Sequence, residues 1–373
     1  MDRIEIIPVA NSHALRQFIR LPWKIYRNDP CWVPPLRLDM KKLLNRAKHP
    51  FFRHSSADFF LARRNGEWVG RIAAILNNNH NNFHNERTGF FGFFESVNDD
   101  AVASALLEHA AQWARSRGMD RLRGPMNYST NETAGLLIEG FDSPPYIMMT
   151  HNPAYYAGLL ESAGFGKAMD LYAWWMLTEQ GLGPKIARVG AMVLNRQGIS
   201  VRSINMKSFW EDVERIRRIY NDAWSTNWGF VPMTDAEFEH LAKDLKAIVD
   251  PRIALIAEKN GEPVAFSLAL PDFNQVLRKI NGRLFPIGLP IVMYHARSIR
   301  QVRVLALGIS KKLQNWNGLG AALYYESFRR GVEAGYRACE FSWTLETNTL
   351  INRSMQLFGA KIYKRYRIYE KAL

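Results

Sequence analysis

The stretch "VRVLALGISKKLQNWNGLGAALYYESF", residues 302–328, decides the fold. Its opening run, "VRVLALGI", is β-branched and apolar and reads as a strand. "LGAALYYESF" reads as a helix. Between them lies a polar loop with two glycines, Gly318 and Gly320. A helix N-terminus that follows such a loop offers unpaired N–H groups, and the helix dipole adds roughly half a positive charge there. Glycine lets the backbone approach a phosphate closely. Asn315, Trp316, Asn317, Gly318, Leu319 and Gly320 therefore form a potential anion nest, with Lys311 and Lys312 adding charge. The competing reading is a plain strand-to-helix turn with an Asn cap.

An internal repeat separates these readings. "FLARRNGEWVGRIAA" at 60–74 resembles "LIAEKNGEPVAFSLA" at 255–269, each two β-rich runs joined by Asn-Gly, a hairpin signal. Asn65 and Asn260 are 195 residues apart, as are Gly164 and Gly359. "WARSRGMDRLRG" matches "FRRGVEAGYRACEF", a helix ended by Gly118 or Gly335 and then a strand, at an offset of 217. About 22 additional residues near 131–150 in the first half and 272–300 in the second account for the changes of offset. Each half reads helix, hairpin, strand, helix, strand, helix, strand. In "SFWEDVERIRRIYNDAW", Ser208 and Glu211 have capping-box spacing. At the first-half counterpart of the glycine loop stand Asp99, Asp100, Ala101 and Ala103. Acids at a helix start cap it but repel phosphate. Only the second half carries the glycines without an acid, as expected if one repeat binds a phosphate-rich cofactor and the other does not.

The order strand, glycine loop, helix, strand, helix resembles the GNAT acyltransferase superfamily, in which the loop N–H groups hold the pyrophosphate of coenzyme A. In this chain Asn315 stands at the family's first Arg/Gln, with Gln314 just before it. The resemblance implies a backbone N–H around Leu307 to Ile309 that meets the thioester carbonyl. It also implies an asparagine near the pantetheine arm, Asn348 or Asn352. By the same resemblance the family's general-acid tyrosine would fall near Met355, so that acid is absent or supplied elsewhere.

"GPMNYSTNETAGLLIEGFDSPPYIMMTHNPAYY" at 124–156, "FIRLPWKIYRNDPCWVPPLRLD" near the start and "GAKIYKRYRIYEKAL" at the end resemble the bacterial ceramide synthase-like family. That resemblance implies an α/β fold with mixed sheets, two tandem GNAT-like domains, and N-acylation of a sphingoid base such as 3-oxosphinganine from acyl-CoA. The expected division is 1–185, degenerate in its cofactor loop and serving the acceptor and acyl chain, and 186–373, binding acyl-CoA.

Amide formation from a thioester needs a neutral amine, a polarised carbonyl and a proton for the thiolate. The candidates to handle protons are Glu346 in "SWTLETN", Glu132 in "NYSTNET", His151 before Asn152-Pro153, and Tyr128. Each has a structural alternative: helix-start or loop acids, a hydrogen-bonded loop histidine, and a packed tyrosine with a tethered hydroxyl. The apolar loop "AGLLIEGFDSPPYIMM" either lines a hydrocarbon channel or is buried at a domain boundary.

The net charge of +14 favours polyanionic partners: nucleic acid, an anionic membrane or phosphate-bearing ligands. The absence of zinc-finger or RNA-recognition spacing sets nucleic acid aside. Segment 275–303 holds Arg278, Lys279, Arg283, Arg297, Arg300 and Arg303 and no acid, which suits an anionic membrane surface. Cys31 and Cys339 form no metal or redox motif, and no secretory h-region or spanning apolar run is present. The expectation is a cytoplasmic protein, peripheral at the inner membrane, with acyl-CoA and a long-chain amine as substrates and no metal. The alternatives are acylation of a small soluble amine, a Fem-like aminoacyl transfer, or non-catalytic binding of lipid or nucleic acid.

Overall fold

The computed structural model describes residues 3–195, 198–313 and 318–373. Thirteen strands occur among them: β1 (Ile4–Pro8), β2 (Ser56–Arg64), β3 (Glu67–Leu76), β4 (Thr88–Ser96), β5 (Arg121–Gly124), β6 (Leu136–Glu139), β7 (Gly166–Leu177), β8 (Ile199–Ser203), β9 (Ala254–Lys259), β10 (Glu262–Pro271), β11 (Gln301–Ile309), β12 (Ala338–Leu345) and β13 (Lys361–Ala372). The chain divides into two units. The first comprises Met1–Leu171, Val276–Tyr294 and Lys364–Leu373, and the second Tyr172–Gln275 and His295–Tyr363. Residues 172–185 thus group with the second unit, and the first unit takes an insertion and the final strand from the distal half of the chain.

The first unit runs β1-β2-β3-β4-β5, followed by the Lys364–Ala372 part of β13, with β6 also paired to β13. β2 and β3 form an antiparallel hairpin through Asn65 and Gly66, both at positive φ. That conformation is the one a two-residue primed turn needs and Asn-Gly supplies. β4 and β5 are parallel, so the chain must cross over between them, and it does so through the helix Asp100–Arg115. That helix buries Val102, Leu106 and Ala110 against Ile72, Phe91 and Leu122. The apolar loop of 131–150 is spent on the same unit: Leu136 and Leu137 pair with Arg367 and Tyr366 of β13, and Tyr146, Ile147 and Met149 are buried.

The second unit repeats the plan. β8, β9, β10 and β11 are antiparallel neighbours, and β12 lies parallel to β11 after the helix Leu319–Glu333. The repeat holds to the residue: Ile4 pairs with Arg64 and Ile199 with Lys259, and the turn Asn260-Gly261 repeats the φ values of Asn65-Gly66. The capping box expected at Ser208 and Glu211 is absent, because Ser208 makes no side-chain cap; Thr234 and Glu237 form one instead, on the next helix. Segment 275–303 is divided between the units, and its Arg303 is a buried β11 residue and not a surface cation.

Candidate active site

The feature that sets the second unit apart is a fork between β11 and β12. Their parallel ladder runs from Gln301↔Ala338 to Val304↔Phe341 and stops, although β11 continues to Ile309 and β12 to Leu345. A bulge opens it: Leu268 of β10 pairs with Ala306 and Ala269 with Val304, so Leu305 is the extra residue that bends β11. The Ser310 N–H donates to the Val264 carbonyl of the β10 side at 2.9 Å. Strand alternation then turns the N–H groups of Leu307 and Ile309 the other way, toward the gap.

The helix Leu319–Glu333 begins beside this fork. Its N-cap, Gly318, sits at φ 100° and provides no side-chain cap, so the first-turn N–H groups have no side-chain acceptor there. A Cβ at Gly318 would lie 2.7 Å from Val193 Cγ2, so both conformation and space demand glycine. At Gly320 a Cβ would meet only Ile309 Cδ1, at 3.5 Å. The entry to the loop is pinned by Asp222, whose Oδ2 accepts from the Ser310 hydroxyl and the Lys311 N–H. Gln314, Asn315, Trp316 and Asn317 lie outside the described residues.

The first unit closes the equivalent gap with its own chain. The β4–β5 ladder ends at Phe90↔Arg123. Beyond it the Met126 N–H donates to Phe91 O at 2.8 Å, and Asn127 Oδ1 accepts from the Phe93 N–H at 2.8 Å. Gly92 lies directly against the Met126 carbonyl, where no side chain fits. The following helix is capped by Asp99, which accepts from Val102 N–H and pairs with Arg64 at 2.8 Å. This unit therefore has neither an open gap nor a free helix start.

Sequence reasoning missed the charged group at the root of the fork. Arg303 and Glu340 are partners in the parallel ladder, both buried, with Arg303 Nε 3.7 Å from Glu340 Oε1. Arg303 Nε donates to Ser342 Oγ at 2.7 Å, and the Ser342 and Tyr363 hydroxyls donate to the Glu340 carboxylate. The signal was present: Arg303, Glu340 and Ser342 interrupt apolar strands at alternate positions, on one face of the sheet. The first unit has Phe90 and Arg123 in the corresponding ladder pair.

The predicted residues divide by unit. In the second, Asn352 donates to the Leu345 and Glu346 carbonyls and accepts from Thr344, holding the end of β12. Asn348 caps the helix Thr349–Phe358. Glu346 is half-buried in the turn between them. In the first unit, Tyr128 is buried at positive φ, stacked on Phe51 at 4.5 Å, with its hydroxyl donating to Leu43 O. Burial first, and then nearby Glu132, push that phenol well above its usual pKa. Glu132 lies 3.9 Å from His49 Nε2. His151 is elsewhere in the unit, its Nε2 2.8 Å from Asp29 Oδ2. Asp29 is held in turn by the Cys31 N–H, and the Tyr26 hydroxyl donates to the His151 carbonyl. The His151 Nδ1 is buried and makes no hydrogen bond. Burial lowers the imidazole pKa, outweighing the opposing pull of Asp29, so the ring is neutral at pH 7.

Among the described residues no group of three or more His, Cys, Asp or Glu is placed to hold a metal, and no helix is long and apolar enough to cross a membrane.

No family model matches the chain. Over 370 residues it is 36% identical to Protein YghO of Escherichia coli (strain K12), covering 97% of this chain and 94% of that protein. Over 377 residues it is 34% identical to a bacterial ceramide synthase of Caulobacter vibrioides (strain NA1000 / CB15N), covering 99% and 98%. Among solved structures, a tandem GNAT protein from the clavulanic acid biosynthesis pathway matches with a TM-score of 0.59 at 14% identity, over 99% of this chain and 98% of that one. A GCN5-related N-acetyltransferase from Sphaerobacter thermophilus matches with a TM-score of 0.55 at 14% identity, over 100% and 96%. These structural matches show the fold expected from the sequence, a tandem GNAT.

Proposed function

The chain belongs to the bacterial ceramide synthase-like family of tandem GNAT-fold proteins, and from that premise we propose that it is an acyl-CoA-dependent N-acyltransferase acting on a long-chain amine. The acceptor class is a sphingoid base of the 3-oxosphinganine type, and the donor carries a long acyl chain. The observation that carries this reading is the contrast between the two forks. In the second unit the parallel ladder ends at Val304↔Phe341 and Gly318 gives the helix start no side-chain cap, while the corresponding gap of the first unit is filled by Met126 and Asn127.

In this reading the N–H groups at Gly318, Leu319 and Gly320 receive the pyrophosphate, with Gln314 to Asn317 completing the loop. The Leu307 N–H faces the thioester carbonyl and stabilises the oxyanion as the amine attacks, with Ile309 two residues further along the same strand. Asn348 and Asn352 keep the β12 end in place beside the pantetheine arm. Of the four candidates for proton handling, His151 is the best supported, because its neutral ring has a lone pair at Nδ1 and is oriented by Asp29. Tyr128 and Glu132 then shape the acceptor side, and Glu346 remains the alternative base. The nitrogen–carbon bond forms, the carbon–sulfur bond breaks, and the amine proton reaches the thiolate by way of the base. The protein works from the cytoplasmic side, at an anionic membrane face where such an amine resides.

The test is mass spectrometry of products from purified protein, long-chain acyl-CoA and a panel of amines. An N-acyl long-chain amine formed with release of free CoA is expected. Acylation of short soluble amines alone would replace this reading with the soluble-substrate alternative.

A further inference from the structure

Of the twelve large apolar side chains exposed among the described residues, five fall within ten positions: Phe285, Ile287, Leu289, Met293 and Tyr294. The rest are dispersed along the chain, as single exposed apolar residues ordinarily are. Ile287, Met293 and Tyr294 are 70%, 67% and 78% exposed, values that leave them essentially uncovered. A cluster of this kind marks an interaction surface.

The cluster is held on a fixed base. It belongs to the insertion Val276–Tyr294 of the first unit. Asn281 and Gly282, both at positive φ, bend the chain against the N-terminal helices. The Trp23 indole N–H donates to Asn281 Oδ1 at 2.7 Å, and the Arg37 N–H donates to Gly282 O at 3.1 Å. Gly288 packs onto the Arg283 carbonyl, closing a tight turn that carries Phe285 and Ile287 at its tip.

Two cations of this base, Arg278 and Arg283, form no salt bridge among the described residues. Arg278 and Arg283 are exposed, and no acidic residue occurs from 273 to 325. Arg37 lies over the Trp23 ring at 4.6 Å, and its Nε is buried with no hydrogen bond. Arg20 and Arg283 are close enough to lower the Arg37 pKa by repulsion, after the effect of burial itself. A guanidinium kept beside two like charges with a donor unsatisfied is costly unless an anion shares the site. Arginine is also the side chain whose planar fork best fits phosphate oxygens.

We propose that the Phe285–Tyr294 crest inserts into an anionic bilayer, with Arg37, Arg20 and Arg283 seating lipid headgroup phosphates at its base. Apolar tip and basic flank are the two components of an interfacial anchor. This proposal deepens the reading of the protein as acting on a membrane amine and rests on it for its purpose, but it is testable without any turnover.

The experiment is co-sedimentation of the full chain with phosphatidylcholine vesicles, with and without 30% phosphatidylglycerol. Wild type should bind the anionic vesicles, weakly at high salt, and should bind neutral vesicles at least about tenfold less well. R278E/R283E and I287D/M293D should each lower binding to anionic vesicles by about tenfold or more. All four positions are exposed, so both variants should fold, which circular dichroism checks. Both should acylate a detergent-dispersed amine at the wild-type rate. Equal sedimentation with both vesicle types, or unchanged binding of both variants, would overturn the proposal. So would a wild-type dimer in light scattering that I287D/M293D converts to monomer, since the crest would then face a second copy. Vesicle binding in the absence of any acyl transfer would leave the crest standing and remove the enzymatic reading instead.

Discussion

The Nε2 of His151 lies 2.8 Å from Asp29 Oδ2, while its Nδ1 is buried without a hydrogen bond. An ionised Asp29 can only accept, so Nε2 carries the proton and Nδ1 the lone pair. A general base is worth about 10²–10⁴-fold in rate, so His151→Gln should lower kcat by that factor with little change in the KM for acyl-CoA. The pH dependence separates a base from a packing residue. Burial holds the imidazole pKa below its ordinary 6.5, so the acid limb of kcat/KM should lie below that pH. Asp29 opposes this effect, so Asp29→Asn should move the limb further down while lowering the rate. Retention of wild-type turnover and pH profile by His151→Gln would remove it from the chemistry.

Glu346 and Glu132 are the competing bases. Glu346 sits in the turn after β12, its carbonyl held by Asn352, and Glu132 lies near His49. Glu346→Gln and Glu132→Gln should each change kcat less than tenfold if His151 takes the proton. A loss of 10²-fold or more in either would reassign the base.

The Arg303–Glu340 pair predicts a non-additive stability effect. In the corresponding place the first unit has Phe90, so the buried ion pair is not what the sheet requires. Removing one partner strands a buried charge, at a cost of about 3–5 kcal/mol. Arg303→Met and Glu340→Met should each lower stability by that order in denaturant unfolding. Arg303→Met/Glu340→Met should lose much less than the sum of its two single changes. Additive losses would mean the two side chains act independently.

Much of the fold was readable because its punctuation is local. Asn65-Gly66 and Asn260-Gly261 do adopt the left-handed pairs that their hairpins need, and Gly118, Gly335, Gly164 and Gly359 all lie at positive φ where helices give way to strands. Capping by Asp99 was legible for the same reason. Long-range pairing was not. Nothing in "GAKIYKRYRIYEKAL" reveals that Lys364–Leu373 joins the first unit, since strand propensity does not specify a partner. The plug at Met126 and Asn127 was hidden likewise, because it depends on a carbonyl meeting Gly92. Arg303 was misread as a surface cation because a basic run around it masked its alternation with Val302 and Val304. Asn352 was expected near the pantetheine arm by family position, and its amide donates to the Leu345 and Glu346 carbonyls.

His80 supplies a pH-dependent stability effect remote from catalysis. Burial lowers its pKa to about 4, against an ordinary 6.5, although Glu86 lies 3.2 Å from Nε2 and pulls the other way. The unfolded chain therefore binds the proton more readily between these values, and stability must fall as pH drops through that window. The full contribution is about 3 kcal/mol by pH 4. His80→Asn should unfold with a shallower pH dependence between 6.5 and 4, measured by urea midpoints. An unchanged slope would show that other groups govern the acid response.

Gly318 and Gly320 make separable predictions because only one is conformationally required. Gly318 lies at φ 100° with Val193 Cγ2 2.7 Å from where a Cβ would stand. Gly318→Ala should therefore destabilise the second unit by about 1–3 kcal/mol, whatever happens to binding. Gly320 has no such φ, and an added Cβ would make ordinary contact with Ile309 at 3.5 Å. Gly320→Ala should be near neutral for stability and for CoA affinity. Gly320→Asp keeps the same backbone but places a carboxylate at the helix start, where the pyrophosphate is expected. Losing two charge-assisted hydrogen bonds costs about 3 kcal/mol or more, over a hundredfold in Kd. The control is Ala101→Asp, in the exposed first turn of the matching helix, where an acid suits the dipole and no phosphate is expected. Calorimetric titration with CoA should show the loss in Gly320→Asp alone. Equal affinity in Gly320→Asp and wild type would place the cofactor elsewhere, and with it the distinction drawn between the open and the filled fork.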